Sequence, residues 1–283
     1  TMIPCNWVQC MENSMDPVHV EWLHGYYLDY VWARKGLPMA PRSAGRHQKI
    51  GFDRFEHGIV KRRVVEGHTE EHDAWRVGHP VVFPNILRSG TGFQYRVPVD
   101  DTHTLHIIYQ VYVTGLPIPP QTSVPVYEIP LTGADGKYMN EILLVQDFFA
   151  WASQGPIAAR ELEHLGQSDV GIIMYRELLK EQIERVQQGE EPMEVYRDPA
   201  RNGQIDVPQE AIDATYTSRT AMAMSGRISL GSAYERFSPM LPDLLDLYHE
   251  AERRISAGEP VLTVPEATPV PIGEHHKQVV ILP

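Results

Sequence analysis

The chain has 283 residues, and its 25 Lys and Arg against 37 Asp and Glu leave a net charge of −12, which argues against binding a nucleic-acid backbone. A hydrophobic share of 42% beside 22% charged residues belongs to a folded chain, and no run approaches the length of apolar sequence that a spanning helix needs. Two cysteines cannot staple a chain of this length, so Cys5 and Cys10 read as small buried hydrophobes in a reducing, cytoplasmic setting. Thr1-Met2-Ile3-Pro4-Cys5 lacks the basic-then-apolar order of a signal peptide. Histidine is plentiful at 13 residues, a first hint of metal or acid–base chemistry.

Residues 1–30 read as a helical opening, and the Gly, Pro and basic residues of Arg34 to Ser43 mark a loop. The period then changes to two. Ile50 to Glu56 and Ile59 to Val65 read as a hairpin turning at His57-Gly58. Trp75 to Arg88 reads as a third extended stretch, with Pro80 and Pro84 at edge or bulge positions. Phe93 to Val99 and Thr104 to Thr114 flank the polar Asp100-Asp101-Thr102-His103. On the second of these, Leu105, Ile107, Tyr109, Val111 and Val113 form a face that reads as core. His106, Ile108, Gln110 and Tyr112 form a mixed face that either lines a pocket or is half exposed.

Leu116 to Tyr127 is proline-laden and reads as an irregular loop. A period of 3.6 returns in Asn140 to Leu165, broken at Gly155-Pro156. It continues in Asp169 to Gln188, capped by Ser168 and stopped by Gly189, and in Pro242 to Ile255, whose proline falls in the first turn. Residues 260–283 read as an extended tail. Helix, then strands, then helices specify one α+β domain over 1–283, an antiparallel sheet gripping a long helix.

The densest chemistry lies between Asn13 and His24. Asp16 stands three residues before His19, and His24 stands five after it. Neutral imidazole suits ferrous iron, and a ligating histidine ordinarily donates its second N–H to a carboxylate, a role Asp16 could fill. The spacing raises an objection, since residues five apart on a regular helix diverge by about 140°. A π-type bulge or a helix end between the two histidines would bring them together. On spacing alone, two amphipathic residues on a half-buried helix explain the pattern as well.

The order Asn13-x2-Asp16-x2-His19-x4-His24 resembles the iron-binding motif in the catalytic domain of Rieske non-haem iron oxygenases, and Asn6-Trp7-Val8-Gln9 with Glu12 resembles that family's approach to it. Gln146 to Ile157 is similar to the family's third-ligand segment, with Asp147 matching the ligand. Arg160, Glu163-His164-Leu165-Gly166 and Ser168-Asp169 continue the likeness. Arg96 to Thr104 is similar to a stretch of the phthalate dioxygenase and aromatic O-demethylase branch. The resemblance spans residues 5 to about 190, with its motifs in the family's order.

That resemblance implies a helix-grip (Bet v 1/START-like) fold, its sheet wrapped around a long C-terminal helix. It implies one Fe(II) held by His19, His24 and Asp147, with Asp16 linking the first histidine to a second metal centre and Asn13 in support. It implies O2 and an aromatic, carboxylated substrate, hydroxylated or O-demethylated. Electrons would come from a reductase or ferredoxin through a Rieske [2Fe–2S] cluster in the neighbouring subunit of a homotrimer. Such a cluster needs Cys-x-His followed by Cys-x2-His, but Trp7 stands two after Cys5 and Asn13 three after Cys10. The Rieske domain is therefore expected to be absent from this chain, leaving the isolated catalytic domain inactive without outside electrons. The rival readings are a helix-grip ligand-binding module with an incidental metal site, and a zinc hydrolase using the same triad.

Other motifs carry less. His68-Thr69-Glu70-Glu71-His72 matches a zinc-peptidase pattern but lies between strands and reads as a solvated turn. His103 and His106 should face opposite sides of a strand. Arg76, Arg88 and Arg96 could anchor a substrate carboxylate, although surface or structural roles suit each better. Phe148 and Trp151 read as packing, and His275-His276 as an exposed part of the tail. No nucleic-acid or membrane partner is expected.

Overall fold

The computed structural model describes residues 1–36, 45–118, 120–212, 217, 233–263, 269 and 276–282, with the side chains of 233, 234 and 276–281 excepted. Most of the predicted loop after Arg34 and much of the tail, His275 included, lie outside the described residues.

Among the described residues eight strands form one antiparallel sheet: β1 (Met2–Ile3), β2 (His47–Phe55), β3 (Gly58–Val65), β4 (His79–Val82), β5 (Ile86–Ser89), β6 (Gly92–Asp100), β7 (His103–Gln110) and β8 (His276–Ile281). Their order is β1-β7-β6-β5-β4-β3-β2-β8, a meander from β2 to β7 with one added strand at each edge. β8 pairs with β2, so this part of the predicted tail is docked. The helices are α1 (Trp7–Met15), α2 (His19–Glu21), a π-helix (Trp22–Tyr27), α3 (Leu28–Lys35), α4 (Asp73–Arg76), α5 (Leu143–Ala152), α6 (Val170–Gln187) and α7 (Leu241–Ser256).

The β2–β3 hairpin turns at Glu56-His57, one residue earlier than expected, and Gly58 opens β3. Its φ is +146°, and a Cβ there would stand 2.2 Å from the Val81 carbonyl oxygen, so only glycine allows β4 to pass this close. Trp75 to Arg88 is not one extended stretch. His72 Nδ1 accepts from the Ala74 N–H at 3.1 Å and starts the short α4, after which β4 and β5 are separate strands. Pro80 sits inside the sheet in β4. The β4–β5 ladder involves Val81 and Val82, so the N–H that Pro80 lacks is not required of it.

The longest helix, α6, lies on the sheet. Val170, Met174, Tyr175 and Leu178 recur at helical spacing and pack on Ile50, Phe52, Ile59, Val81 and Leu87. Contact is close: a Cβ on Gly171 would fall 2.3 Å from a Phe52 ring carbon and 2.8 Å from the Met15 carbonyl. Ser168 does not cap this helix. Instead Asp169 accepts from the Gly166 N–H at 2.7 Å ahead of it, while Gly189, at φ +80°, follows its end.

The helix α1 divides two cores. Met11 and Met15 join the cluster under α6, whereas Cys5 and Cys10 join Ile3, Ile142, Val145, Phe148 and Trp151 around α5. Both thiols are free and buried, as expected.

The face assignment on β7 is reversed. His106 is buried against Phe148 and Trp151, with ring centroids 5.0 and 5.6 Å away, while Ile107 and Tyr109 are 43% and 48% exposed. Both faces carry apolar residues, so hydropathy alone gives no direction; the docking of α5 on the His106 side decides it.

Candidate metal centre

Two helices converge to build the site. Asn6 caps α1 by accepting from the Val8 N–H at 3.0 Å, and its own N–H donates to the Pro156 carbonyl at 2.8 Å. Gln9 donates to the Trp151 and Gly155 carbonyls at 3.2 and 3.1 Å and accepts from the Ala158 N–H at 2.9 Å. These bonds tie the start of α1 to the end of α5, where Gly155-Pro156 stops regular hydrogen bonding. Glu12 fixes the other side. Arg160 reaches both its carboxylate oxygens at 2.6 Å and Arg176 of α6 reaches one at 2.7 Å, while both arginines also pair with Glu163. The residues flanking the triad motifs thus act as a brace.

The chain leaves α1 at Asp16, whose carboxylate accepts from the Val18 and His19 N–H groups at 2.7 and 3.1 Å and so starts the next helix. His19 begins α2. Within five residues the helix widens into the π-turn of Trp22–Tyr27, which contains His24. The widening absorbs the angular mismatch of the five-residue spacing. The two imidazoles meet edge to face with centroids 5.3 Å apart.

Asp147, on α5, faces them. Its Oδ1 lies 3.1 Å from His24 Nε2 and 3.7 Å from His19 Nε2. One ligand atom from each of the three residues falls within 4.8 Å of the others, and no other such group of three is found among the described residues. Adjacent ligands bound at about 2.1 Å sit about 3 Å apart, so the arrangement suits one ion held on one face.

The supporting shell determines which atoms point inward. Gln146 Nε2 donates to the Asn140 carbonyl at 2.7 Å, which turns Gln146 Oε1 toward His24 Nδ1 at 2.9 Å. His24 Nδ1 then carries a proton, which leaves Nε2 as the ring atom that faces the centre. Asn140 is steadied in turn by its bond to the Tyr27 hydroxyl at 2.9 Å. Asn13 donates to Asp147 Oδ1 at 3.3 Å. Asp16 Oδ2 stands 3.5 Å from His19 Nδ1, an enclosed atom with no hydrogen-bond partner of its own.

Asp147 and His24 hold each other toward their charged forms. Burial alone would raise the Asp147 pKa, but the charge and hydrogen bond of His24, with His19 and Arg96 beyond, hold it at about 2. Burial lowers the His24 pKa, and Asp147 and Gln146 more than reverse this, so it ends above its ordinary value. For Asp16, burial is likewise outweighed by His19 and the Val18 N–H, leaving its pKa lowered.

The remaining candidates are structural. His68 and His72 stack face to face at 3.7 Å in a turn, so their rings do not converge on an ion. His103 is exposed and pairs with Asp100, whereas His106 is buried. Arg76 pairs with Asp73, Arg88 donates to the Pro208 carbonyl, and Arg96 donates to Gln94 and lies over the Trp151 ring. Phe148 and Trp151 are core. Gln146, Asn140 and Tyr27 were not singled out from the sequence. The only available signal was that Gln146 adjoins Asp147, because the other two reach the site through the fold.

Comparison with known proteins points the same way. Residues 135–225 match the family model described as "LigXa C-terminal domain like". The chain is 36% identical over 225 residues to the 5,5'-dehydrodivanillate O-demethylase oxygenase subunit of Sphingobium sp. (strain NBRC 103272 / SYK-6), covering 78% of this chain and 51% of that protein. It is 29% identical over 212 residues to the phenoxybenzoate dioxygenase subunit alpha of Ectopseudomonas oleovorans, covering 69% and 46%. It is 24% identical over 233 residues to the phthalate 4,5-dioxygenase oxygenase subunit of Pseudomonas putida, covering 67% and 51%. The chain spans about half the length of these curated relatives. It belongs to the Rieske-type aromatic oxygenases, as a catalytic domain of the phthalate dioxygenase and O-demethylase branch. No helix among the described residues is long and apolar enough to cross a membrane.

Proposed function

We propose that this chain is the oxygen-activating half of an aromatic oxygenase, a helix-grip domain that binds one Fe(II) through His19, His24 and Asp147. The observation that carries the reading is the convergence of these three ligand atoms, with the His24 tautomer set by Gln146. The donor set fits: two imidazoles and one carboxylate suit Fe(II) and leave coordination positions open. When bound, the iron supplies the site for reductive activation of O2.

The chain's own residues do the rest. Gln146 and Asp16 orient the two imidazoles, and Asn13 holds the inner oxygen of Asp147. The Asp16 side chain keeps about a quarter of its surface open at 24%, so it can face a partner while it contacts His19. It is the residue through which an electron donor in a neighbouring subunit would reach this centre. The Rieske cluster has no ligand set in this chain and would be held elsewhere in a homotrimer served by a reductase or ferredoxin. The three relatives are named for dehydrodivanillate, phenoxybenzoate and phthalate, each an aromatic carboxylate, and an aromatic carboxylate is the substrate class proposed here.

Elemental analysis after anaerobic loading tests the centre. Wild-type protein should take up about one iron per chain, and His19→Ala or Asp147→Ala should take up none. Stoichiometric zinc uptake with iron refused would favour a hydrolase. Asp16→Asn should retain iron while turnover of the complete enzyme, with its Rieske domain, falls by orders of magnitude. Equal loss of iron and turnover would make Asp16 a ligand or a structural residue.

A further inference from the structure

On the same side of the sheet as the triad lies a cation with no hydrogen bond or ion pair among the described residues. Lys61 sits on β3, opposite Phe52 on β2 and His79 on β4, and the residue is only 8% exposed. Phe52 packs under α6 against Met15, so this face of β3 looks toward the helices that carry the metal ligands. The Lys61 ammonium makes no hydrogen bond or ion pair with the described residues, yet it lies close enough to Asp16, His24 and Asp147 to act on them through space. We propose that Lys61 is the substrate-anchoring residue of this centre, its ammonium pairing with the carboxylate of an aromatic acid held beside His19, His24 and Asp147. This rests on the oxygenase reading above, and it supplies the specificity contact that the three arginine candidates do not.

The neighbouring cations show why. Arg62, next in the chain, points to the other face, where Asp53 and the Trp75 and Arg76 carbonyls satisfy it. His79 pairs with Glu210 at 3.3 Å. Arg96, 1% exposed, turns Nη1 and Nη2 to Gln94 and lies over the Trp151 ring. An enclosed ammonium without a partner is costly, and a methionine would fill the same space without the penalty. Burial and Arg63 accordingly push the Lys61 pKa down to about 7, against the pull of Asp16 and Asp147.

The test is calorimetric titration of the iron-loaded chain with benzoate, 3-methoxybenzoate and biphenyl-3,3'-dicarboxylate, each against its methyl ester. Wild type should bind at least one acid about ten- to a hundredfold tighter than its ester. Lys61→Met should abolish that preference with ester affinity and iron content unchanged, and Lys61→Arg should restore part of it. Lys61→Met should also melt higher than wild type, which shows that it folds and that the charge was held at a cost. The proposal is overturned if wild type binds none of the acids or does not prefer them. It is also overturned if Lys61→Met keeps the preference and changes only metal affinity, the result of a through-space partner for Asp16 and Asp147. The two readings fail separately. Refusal of iron with the acid preference intact removes the oxygenase centre and leaves Lys61 as an anion site, whereas normal iron uptake with no acid preference removes only the anchor.

Discussion

Gln146 is the residue on which the His24 orientation turns. Replacing it with leucine removes the acceptor for Nδ1 and lets the ring rotate or change tautomer, so iron affinity should fall about ten- to a hundredfold with the fold retained. Competition with a chelator measures this directly, and circular dichroism checks the fold. The same residues set a pH dependence. On the proposed ligation His24 must be neutral to hold iron, so uptake should weaken as pH falls through its raised pKa, which lies above 6.5. In the metal-free protein the signs differ. Asp147, held near 2 against an ordinary 3.8, stabilises the fold above 3.8, and this contribution is lost as pH falls toward 2. His24, with its raised pKa, stabilises the fold at and below 6.5, and this is lost as pH rises past its folded value. The contribution of this pair should therefore be greatest between about pH 4 and 6.5, read as the difference in thermal melting between metal-free wild type and Asp147→Asn.

The elements hold the ligands in place through a few close contacts. Gly171 lets α6 approach Phe52 and the Met15 carbonyl, one residue before Asp16. Gly171→Ala should cost about 1–3 kcal/mol in denaturant unfolding, and it should loosen iron binding because the end of α1 must move. Glu12 is nearly enclosed and faces two arginines that are about one-third exposed. Glu12→Ala should cost about 2 kcal/mol, less than loss of a fully buried partner because solvent screens the arginines left behind. The π-helix is the element that spacing only partly forecasts. Five residues between histidines call for a distortion, but where α5 packs against the π-helix of Trp22–Tyr27 is not a local property of the sequence.

Across the whole molecule, the outer side of β6 and β7 exposes Val97, Val99, Ile107 and Tyr109, an apolar strip outside both core clusters that Val111 continues past the end of β7. Ile107→Lys should change the stability of this chain by no more than about 0.5 kcal/mol. The same substitution at Ile50, fully buried under α6, should prevent folding. Equilibrium unfolding of the first variant, and soluble expression of the second, give both answers.

Hydropathy period by itself determines the α+β class and the run of antiparallel strands, because it is a local property that survives in one dimension, whereas the triad is marked by the likeness of its motifs to a family and not by spacing. That likeness marks Asp16, His19, His24 and Asp147 but says nothing of Gln146 turning through Asn140, or of Lys61 arriving from a strand across the sheet. The amino-acid order also leaves open which side of β7 is covered. Those features depend on which surfaces dock. Docking is decided by packing among segments far apart in the chain, where a single burial event orients a whole face, and only the tertiary structure records it.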